Sequence, residues 1–409
     1  MATILGIEST CDETAAAVVA DGHGVRANVV ATQVGLHAKY RGVVPEIASR
    51  AHIENILPVL REALGVGATG ATPASSATAG TPSGITVGAR PASPVPSREP
   101  SADPKTGDAG VAPTGAGPRI VTAEWATQPS PLQVDAIAVA HRPGLIGSLL
   151  IGVTAAKALA WAWGKPLIGV DHVHAHLYSV VLEKPDPNDH PPMPAVGLVV
   201  SGGHTALYRV NSWLDVALIG STIDDAVGEA YDKVAAILGL GYPGGPVLDK
   251  LAADGDPKAI DFPRTTLGRD SLDFSFSGLK TAVLYRVRGV PTKDGPDVRT
   301  ATKPPPTGQD LADLAASFQA TCVDVIVKKL KRAAGRVGAK SVVIGGGVSA
   351  NRGLRDALKS FPIPVFFPPL RYCTDNAAMS AGLAHVYYRE GRFSDLGLDA
   401  ITYSQFRDG

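Results

Sequence analysis

Thr3-Ile4-Leu5-Gly6-Ile7-Glu8-Ser9-Thr10-Cys11-Asp12-Glu13-Thr14-Ala15-Ala16-Ala17-Val18-Val19 decides the fold, because its pattern returns near the middle of the chain. Thr3–Ile7 reads as a buried strand, Glu8–Thr14 as a polar turn and Ala15–Val19 as a second strand, since short apolar runs bounded by turn residues mark hairpin strands. Ala195–Val200, Ser201-Gly202-Gly203-His204-Thr205 and Ala206–Val210 repeat that arrangement. A second element recurs after each hairpin. Val134–Ala140 reads as a strand leading through Pro143-Gly144 into a helix from about Gly147 to Trp163, and Ser341–Ile344 leads through Gly345-Gly346-Gly347 into a helix beginning near Asn351. Hairpin, then strand, glycine turn and helix, twice over, predicts an α/β fold of two similar halves with a ligand cleft between them.

The chain has 409 residues, 45% of them apolar, which is enough for sizeable cores. Its 38 basic and 38 acidic residues cancel, so no global field draws it to nucleic acid or a membrane, and a nucleic-acid partner needs a local patch or an accessory protein. Cys11, Cys322 and Cys373 are far apart and form no CxxC, which argues for a reducing compartment and against a zinc ribbon. The apolar first twenty residues carry Glu8, Asp12 and Glu13, against a signal peptide. No uncharged apolar run long enough to span a bilayer lacks glycine breaks and polar flanks, so the expectation is a soluble cytoplasmic protein. Residues 65–129 shift abruptly to Gly, Ala, Pro, Ser and Thr, without an aromatic residue from Gly65 to Arg119; such a stretch cannot offset its ordering entropy and reads as a disordered insertion. A second Pro/Gly-rich patch, 288–308, reads as a surface loop.

Asp171-His172-Val173-His174-Ala175-His176 packs three of the ten histidines into five residues at the end of an apolar run. On a helix His172 and His176 share a face; on a strand all three do. Either way imidazoles cluster, the commonest means of holding a transition metal, and the remaining ligands must come from elsewhere. Asp375, in Thr374-Asp375-Asn376, can complete such a site for Fe(II), Zn(II) or Mn(II), although spacing alone does not select it. Ser201–Thr205 suits phosphate or carboxylate, because glycines let backbone N–H groups approach an anion; an ordinary glycine hairpin is an equal reading. Asp12 and Glu13 suit a metal, water or hydroxyl better than phosphate. Gly345–Asn351 opens a helix after a strand and suits a nucleotide, with Asn351 able to read a sugar or base edge. Asp232 and Asp249 flank the turn Tyr242-Pro243-Gly244-Gly245-Pro246 and can accept from ribose hydroxyls, or simply be solvated acids. Lys328-Lys329-Leu330-Lys331-Arg332 reads as a solvated helix face, with RNA contact the rival. The cysteines lack a base partner, which argues against a thiol nucleophile.

Gly6–Thr14, Gly42–His52, His172–His176, Ser201–Thr205, Asp232, Tyr242–Pro246, Leu272–Thr281, Gly345–Asn351 and Cys373–Asn376 together resemble the tRNA N6-adenosine threonylcarbamoyltransferase family (TsaD or Gcp, formerly O-sialoglycoprotein endopeptidase). The resemblance spans the chain apart from the two low-complexity stretches. It implies an actin-like, sugar-kinase-like (ASKHA) fold of two ribonuclease-H-like halves around a central cleft. One half would be residues 1–165 with the 65–129 insertion; the other, 166–384, would carry a helical subdomain and the 288–308 loop; 385–409 would pack back on the first. It implies one divalent metal per subunit, Fe(2+) before Zn(2+), on His172, His176 and Asp375, leaving His174 out. Substrate positions carry over to Val199, Val200, Ser201, Gly202, Gly203, Asp232, Gly245, Asp249 and Asn351. The implied reaction moves threonylcarbamoyl from threonylcarbamoyl-AMP to N6 of adenosine 37 in tRNAs reading codons that begin with A. No residue is an obvious proton acceptor; Glu13 and His204 are candidates. The implied partners are a degenerate TsaB-type paralogue and a TsaE-type P-loop ATPase. The rival readings are a nucleotide-binding scaffold subunit, an ASKHA small-molecule kinase and a metallopeptidase, the last opposed by Val173-His174-Ala175 where HExxH needs a glutamate. One departure stands out: Arg142 precedes Pro143 where the family has glycine, adding bulk and charge near the expected cleft.

Overall fold

β1 (Thr3–Glu8) and β2 (Glu13–Ala20) pair antiparallel from Thr3 opposite Ala20 to Glu8 opposite Ala15, and β3 (Gly24–Thr32) continues the meander. The computed structural model describes residues 1–40, 42–65, 133–265, 267–292, 295–297 and 306–404, all within one structural unit. β4 (Ala136–Arg142) lies parallel to β1, and β5 (Leu167–Asp171) parallel to β4, giving the sheet order β3-β2-β1-β4-β5. The second sheet repeats this with β6 (Ala195–Val200), β7 (Thr205–Ser212), β8 (Asp215–Ser221), β11 (Ser341–Gly345) and β12 (Val365–Phe366) in the order β12-β11-β6-β7-β8. In both sheets the first strand of the half pairs antiparallel with the second and parallel with the fourth. This is the two-halved, actin-like α/β fold.

The helices explain why β1, β4, β6 and β11 are near-continuous apolar runs: both faces of each sheet are covered. After the short α1 (Val34–His37), α2 (Pro45–Ala63) and α3 (Ile146–Trp163) lie side by side on the first sheet. α4 (His172–Tyr178) follows β5, and α5 (Val227–Ile237), α6 (Gly244–Ala252), α7 (Ser277–Arg288), α8 (Gly308–Val337) and α9 (Arg352–Leu358) belong to the second half. α10 (Ala377–Arg389) crosses back to pack on β1, β2, β4 and β5. Ile4 joins the core beneath α10, whereas Ile7 faces Gly152 of α3, so consecutive pleats of β1 serve opposite helical layers. α4 and α10 fill one core shared by the two sheets, holding Val199 and Tyr208 of the second sheet with Ile168 and Val170 of the first. A second core, around Phe274, Phe276 and Phe318, covers the outer face of the second sheet.

Three expectations change. β5 pairs with β4, so the boundary expected at residue 166 falls within the first sheet. The return to the first half begins with α10 rather than at residue 385, and the following segment continues it: Ser394 N–H donates to Leu167 O, and Ile401 N–H to His141 O. The patch at 288–308 contains a short hairpin, β9 (Val290–Thr292) with β10 (Gly295–Asp297), where a plain loop was expected. The insertion read over 65–129 lies, Gly65 apart, outside the described residues. α3 is long and apolar enough to cross a membrane, with mean hydropathy 1.4 over 18 residues. Its ends feed the parallel strands β4 and β5 of one sheet, which makes it the crossover laid along that sheet.

Candidate metal and nucleotide site

Strand β5 ends at Asp171, and the Asp171 carboxylate accepts hydrogen bonds from the N–H groups of Val173 at 3.0 Å and His174 at 3.2 Å. That N-cap starts α4 at His172 and settles the periodicity of the histidine cluster as helical. His172 and His176 stand one turn apart with their rings 4.6 Å apart, edge to face. His174 faces elsewhere in the core, where burial and Arg142 push its pKa down to about 3 and keep it neutral.

Asp375 arrives from the turn before α10, whose first N–H groups are capped by the Asn376 side chain accepting from Met379 N–H. Asp375 Oδ1 lies 3.0 Å from His176 Nε2 and 3.6 Å from His172 Nε2. The three potential ligand atoms all fall within 4.8 Å of one another. Two imidazole nitrogens and a carboxylate oxygen at this spacing fit a divalent transition metal with positions left for water or substrate. The electrostatics of the site favour a cation. Burial works against the charged form of His172, yet Asp375 and Glu8 raise its pKa to about 9. Burial, then Asp375 and Asp12, pushes Glu13 up to about 10, and burial with Asp12 and Asp375 pushes the Cys11 thiol far up. This crowd of acids is what a divalent ion would offset.

The glycine loops meet at the metal helix. Gly346 has φ +89°, and a Cβ there would strike Val200 O at the end of β6; at Gly345 it would strike His176 O. The nucleotide-type loop therefore touches both β6 and α4 only because these positions lack side chains. In the other loop Ser201 Oγ accepts from His204 N–H, while Gly202 and Gly203 have open space where a Cβ would sit, leaving their backbone accessible to a ligand. Val199 and Val200 turn their side chains into the two cores, so they can offer a ligand backbone alone. His204 is half-buried beside the cluster, and burial followed by His172 and His176 lowers its pKa to about 4.

The residues read as ribose and base contacts are engaged with one another. Asp232 accepts from Gly244 N–H at 2.7 Å where α6 begins, just before Gly245. Asp249 accepts from Asn351 Nδ2 at 3.0 Å and from Arg352 Nε at 2.9 Å, so it is not a solvated acid. Asn351 also donates to Gln319 Oε1 at 2.8 Å, and its Oδ1 caps α9 through Leu354 N–H. Its amide thus shapes the loop instead of standing free to read a base edge. Tyr242 faces the β1–β2 turn: burial, then Asp12 and Asp232, pushes its phenol well above its ordinary value. The basic run on α8 is also less solvated than read, because Lys329 and Arg332 donate to Ser271 O and Arg336 to Asp270 O.

Arg142 is turned toward Asp171. Its Nε lies 3.4 Å from Asp171 Oδ2, the oxygen that also accepts from Ser404 Oγ at 2.8 Å. Sequence reading does not single out Glu8, which is fully buried with an oxygen 3.2 Å from His172 Nδ1. The available signal was an acid at the end of an otherwise apolar buried strand.

The family model described as TsaD, tRNA N6-adenosine threonylcarbamoyltransferase, matches residues 24–72 and 123–382. A protein of that name from Moorella thermoacetica is 45% identical over 407 residues, covering 97% of this chain and 95% of the relative. Another from Symbiobacterium thermophilum is 44% identical over 402 residues, with the same coverage of 97% and 95%. Among solved structures, full-length HypF in its phosphate- and nucleotide-bound form aligns with TM-score 0.50 at 13% identity, over 98% of this chain and 47% of that one. HypF from T. kodakarensis aligns with TM-score 0.50 at 14% identity, over 96% and 48%. At that identity the likeness speaks for the fold alone. The sequence matches go further: this chain belongs to the TsaD family, the tRNA N6-adenosine threonylcarbamoyltransferases.

Proposed function

We propose that the chain transfers the threonylcarbamoyl group of threonylcarbamoyl-AMP to N6 of adenosine 37 in tRNAs that read codons beginning with A, releasing AMP. The observation that carries this reading is the convergence of His172, His176 and Asp375 with the loops at 201–203 and 345–347. In the transfer, the bond from N6 to the carbamoyl carbon forms as the bond from that carbon to phosphate oxygen breaks. AMP leaves with the electron pair, and N6 gives up a proton. A divalent metal, Fe(2+) with Zn(2+) as substitute, held by His172, His176 and Asp375, would polarise the acyl-phosphate and offset charge on the leaving phosphate.

The protein's own groups do the rest. The open backbone of Ser201, Gly202 and Gly203, with Val199 and Val200 behind it, receives the phosphate or carbamoyl end. The loop from Gly345 holds the adenosine, kept in shape by Asn351 through Asp249 and Gln319. Asp232, at the Gly244-Gly245 turn, and Asp249, which has acceptor capacity left at Oδ2, take the ribose hydroxyls. His204, neutral at physiological pH, suits the N6 proton; Glu13, beside Asp12 and Asp375, is the second candidate, acting as base in its ionised form.

The same reading places the enzyme in the cytoplasm with a TsaB-type paralogue and a TsaE-type ATPase. Two features support a need for partners. Net charge is zero, so the chain by itself offers tRNA little attraction. Ile53 and Leu57 of α2, with Ile146 and Leu150 of the adjoining α3, are 44–60% exposed and form an apolar stripe. The deciding experiment supplies threonylcarbamoyl-AMP, partner subunits and unmodified tRNA to the purified protein and analyses the nucleosides by mass spectrometry. Threonylcarbamoyladenosine is the expected product. Its absence under conditions that support a relative overturns the reading and favours a nucleotide-binding scaffold.

A further inference from the structure

Glu8 closes β1 with its side chain wholly buried, and each of its oxygens is engaged. Oε1 accepts from Thr10 N–H at 3.0 Å; Oε2 accepts from Ser380 Oγ at 3.2 Å and lies 3.2 Å from His172 Nδ1. One carboxylate thus joins the β1–β2 turn, the helix carrying both histidines and the helix that begins just after Asp375. Burying a carboxylate is costly unless donors surround it, so its presence under the site calls for a reason.

His172 supplies the reason. Its Nε2 faces Asp375 Oδ1, so Nδ1 is the nitrogen left over, and two groups compete for it: Glu8 Oε2 and Thr10 Oγ1, both at 3.2 Å. The two have opposite effects. A carboxylate can accept only, so it requires hydrogen on Nδ1 and leaves the Nε2 lone pair free for a metal. A hydroxyl can donate instead, which would put the imidazole hydrogen on Nε2 and block ligation. His176 has no equivalent: among the described residues its buried Nδ1 has no hydrogen-bond partner, and the ring is oriented by packing edge-on to His172.

We propose that Glu8 is a positioning residue that selects the metal-binding tautomer of His172 and fixes its ring plane, so that site assembly depends on β1. The proposal rests on the reading of His172, His176 and Asp375 as metal ligands. Groups in this outer position typically change metal affinity about 10–100-fold.

The test measures Zn(2+) and Fe(2+) affinity by chelator competition, without tRNA, for wild type and for Glu8→Gln, Thr10→Val and Asp375→Ala, together with thermal midpoints. Glu8→Gln should bind metal roughly 10–100-fold more weakly. Thr10→Val, which removes the competing hydroxyl, should bind as tightly as wild type or tighter. Unchanged affinity in Glu8→Gln overturns the proposal, as does an equal loss in Thr10→Val. If Glu8→Gln does not fold, the wild type decides. With 15N-labelled histidine and Zn(2+) bound, His172 should show a slowly exchanging Nδ1–H proton with Nε2 as ligand; the reverse tautomer overturns the proposal. Asp375→Ala separates the two claims: if it too keeps full affinity, the metal-site reading itself has failed.

Discussion

His176 Nε2 lies 3.0 Å from Asp375 Oδ1 although 199 residues separate them in sequence. The contact joins a helix that leaves the first sheet to the turn preceding the helix that returns to it, so the pair forms only when both sheets are in place. Asp375→Ala should therefore cut bound Fe(2+) or Zn(2+), measured by elemental analysis after gel filtration, and lower transfer by roughly 100-fold or more. Retained metal with normal transfer would remove Asp375 from the site.

Gly346 tests the close approach of the two loops. Alanine there combines a strained positive φ with a clash against Val200 O. Together these should cost roughly 2–5 kcal/mol, from about 1–2 for the backbone and about 1–3 for overpacking. Thermal unfolding reads the loss, and adenylate binding should weaken with it. An Ala variant of wild-type stability would show that the loop is free to move aside.

Arg142 tests the departure from the family. Arg142→Ala strips one partner from the buried Asp171 carboxylate but leaves Ser404 and two backbone N–H groups. Urea unfolding should show a loss of about 1–2 kcal/mol. Michaelis constants for threonylcarbamoyl-AMP and tRNA should stay near wild type, because the guanidinium is engaged with the Asp171 carboxylate. A large rise in either would place Arg142 at the substrate.

Asp224 gives a pH-dependent prediction. It accepts from Phe276 N–H, Ser277 N–H and the hydroxyls of Ser275 and Ser277 where α7 begins. Partial burial acts to raise its pKa, but these donors hold it below the ordinary aspartate value. A folded pKa below the unfolded one means stability that is present above the unfolded value, near pH 4, and lost as pH falls through the folded value. Asp224→Ala should cost about 0.5–2 kcal/mol at pH 7, with the gap to wild type closing below about pH 4. A gap independent of pH would mean that packing, not charge, is what was lost.

The apolar stripe on α2 and α3 predicts a contact face. Leu57→Asp combined with Leu150→Asp should leave the circular dichroism unchanged, since both side chains are 44% exposed, and abolish co-elution with a TsaB-type partner. Unimpaired co-elution would move the contact elsewhere.

Most of the architecture was legible because it rests on local periodicity. Apolar runs of strand length, polar hairpin tips and glycine turns before helices recur in the two halves, and hydrophobic burial enforces the same pairing in each. His172 and His176 were legible for the same reason, since four residues apart is one helical turn. Contacts between distant segments carry no such period. Spacing does not point to Asp375, and nothing in the strand Thr3–Glu8 announces that its last residue lies against His172. The engagement of Asn351 with Asp249 and Gln319, and of Arg142 with Asp171, was equally hidden, because which polar partner a side chain finds depends on what tertiary packing brings within about 3 Å. The sequence by itself determined the strands, the repeat, the family and the pair of imidazoles. Only the tertiary structure decided where β5 belongs, how the glycine loops meet α4, and that a buried carboxylate stands behind the metal-facing histidine.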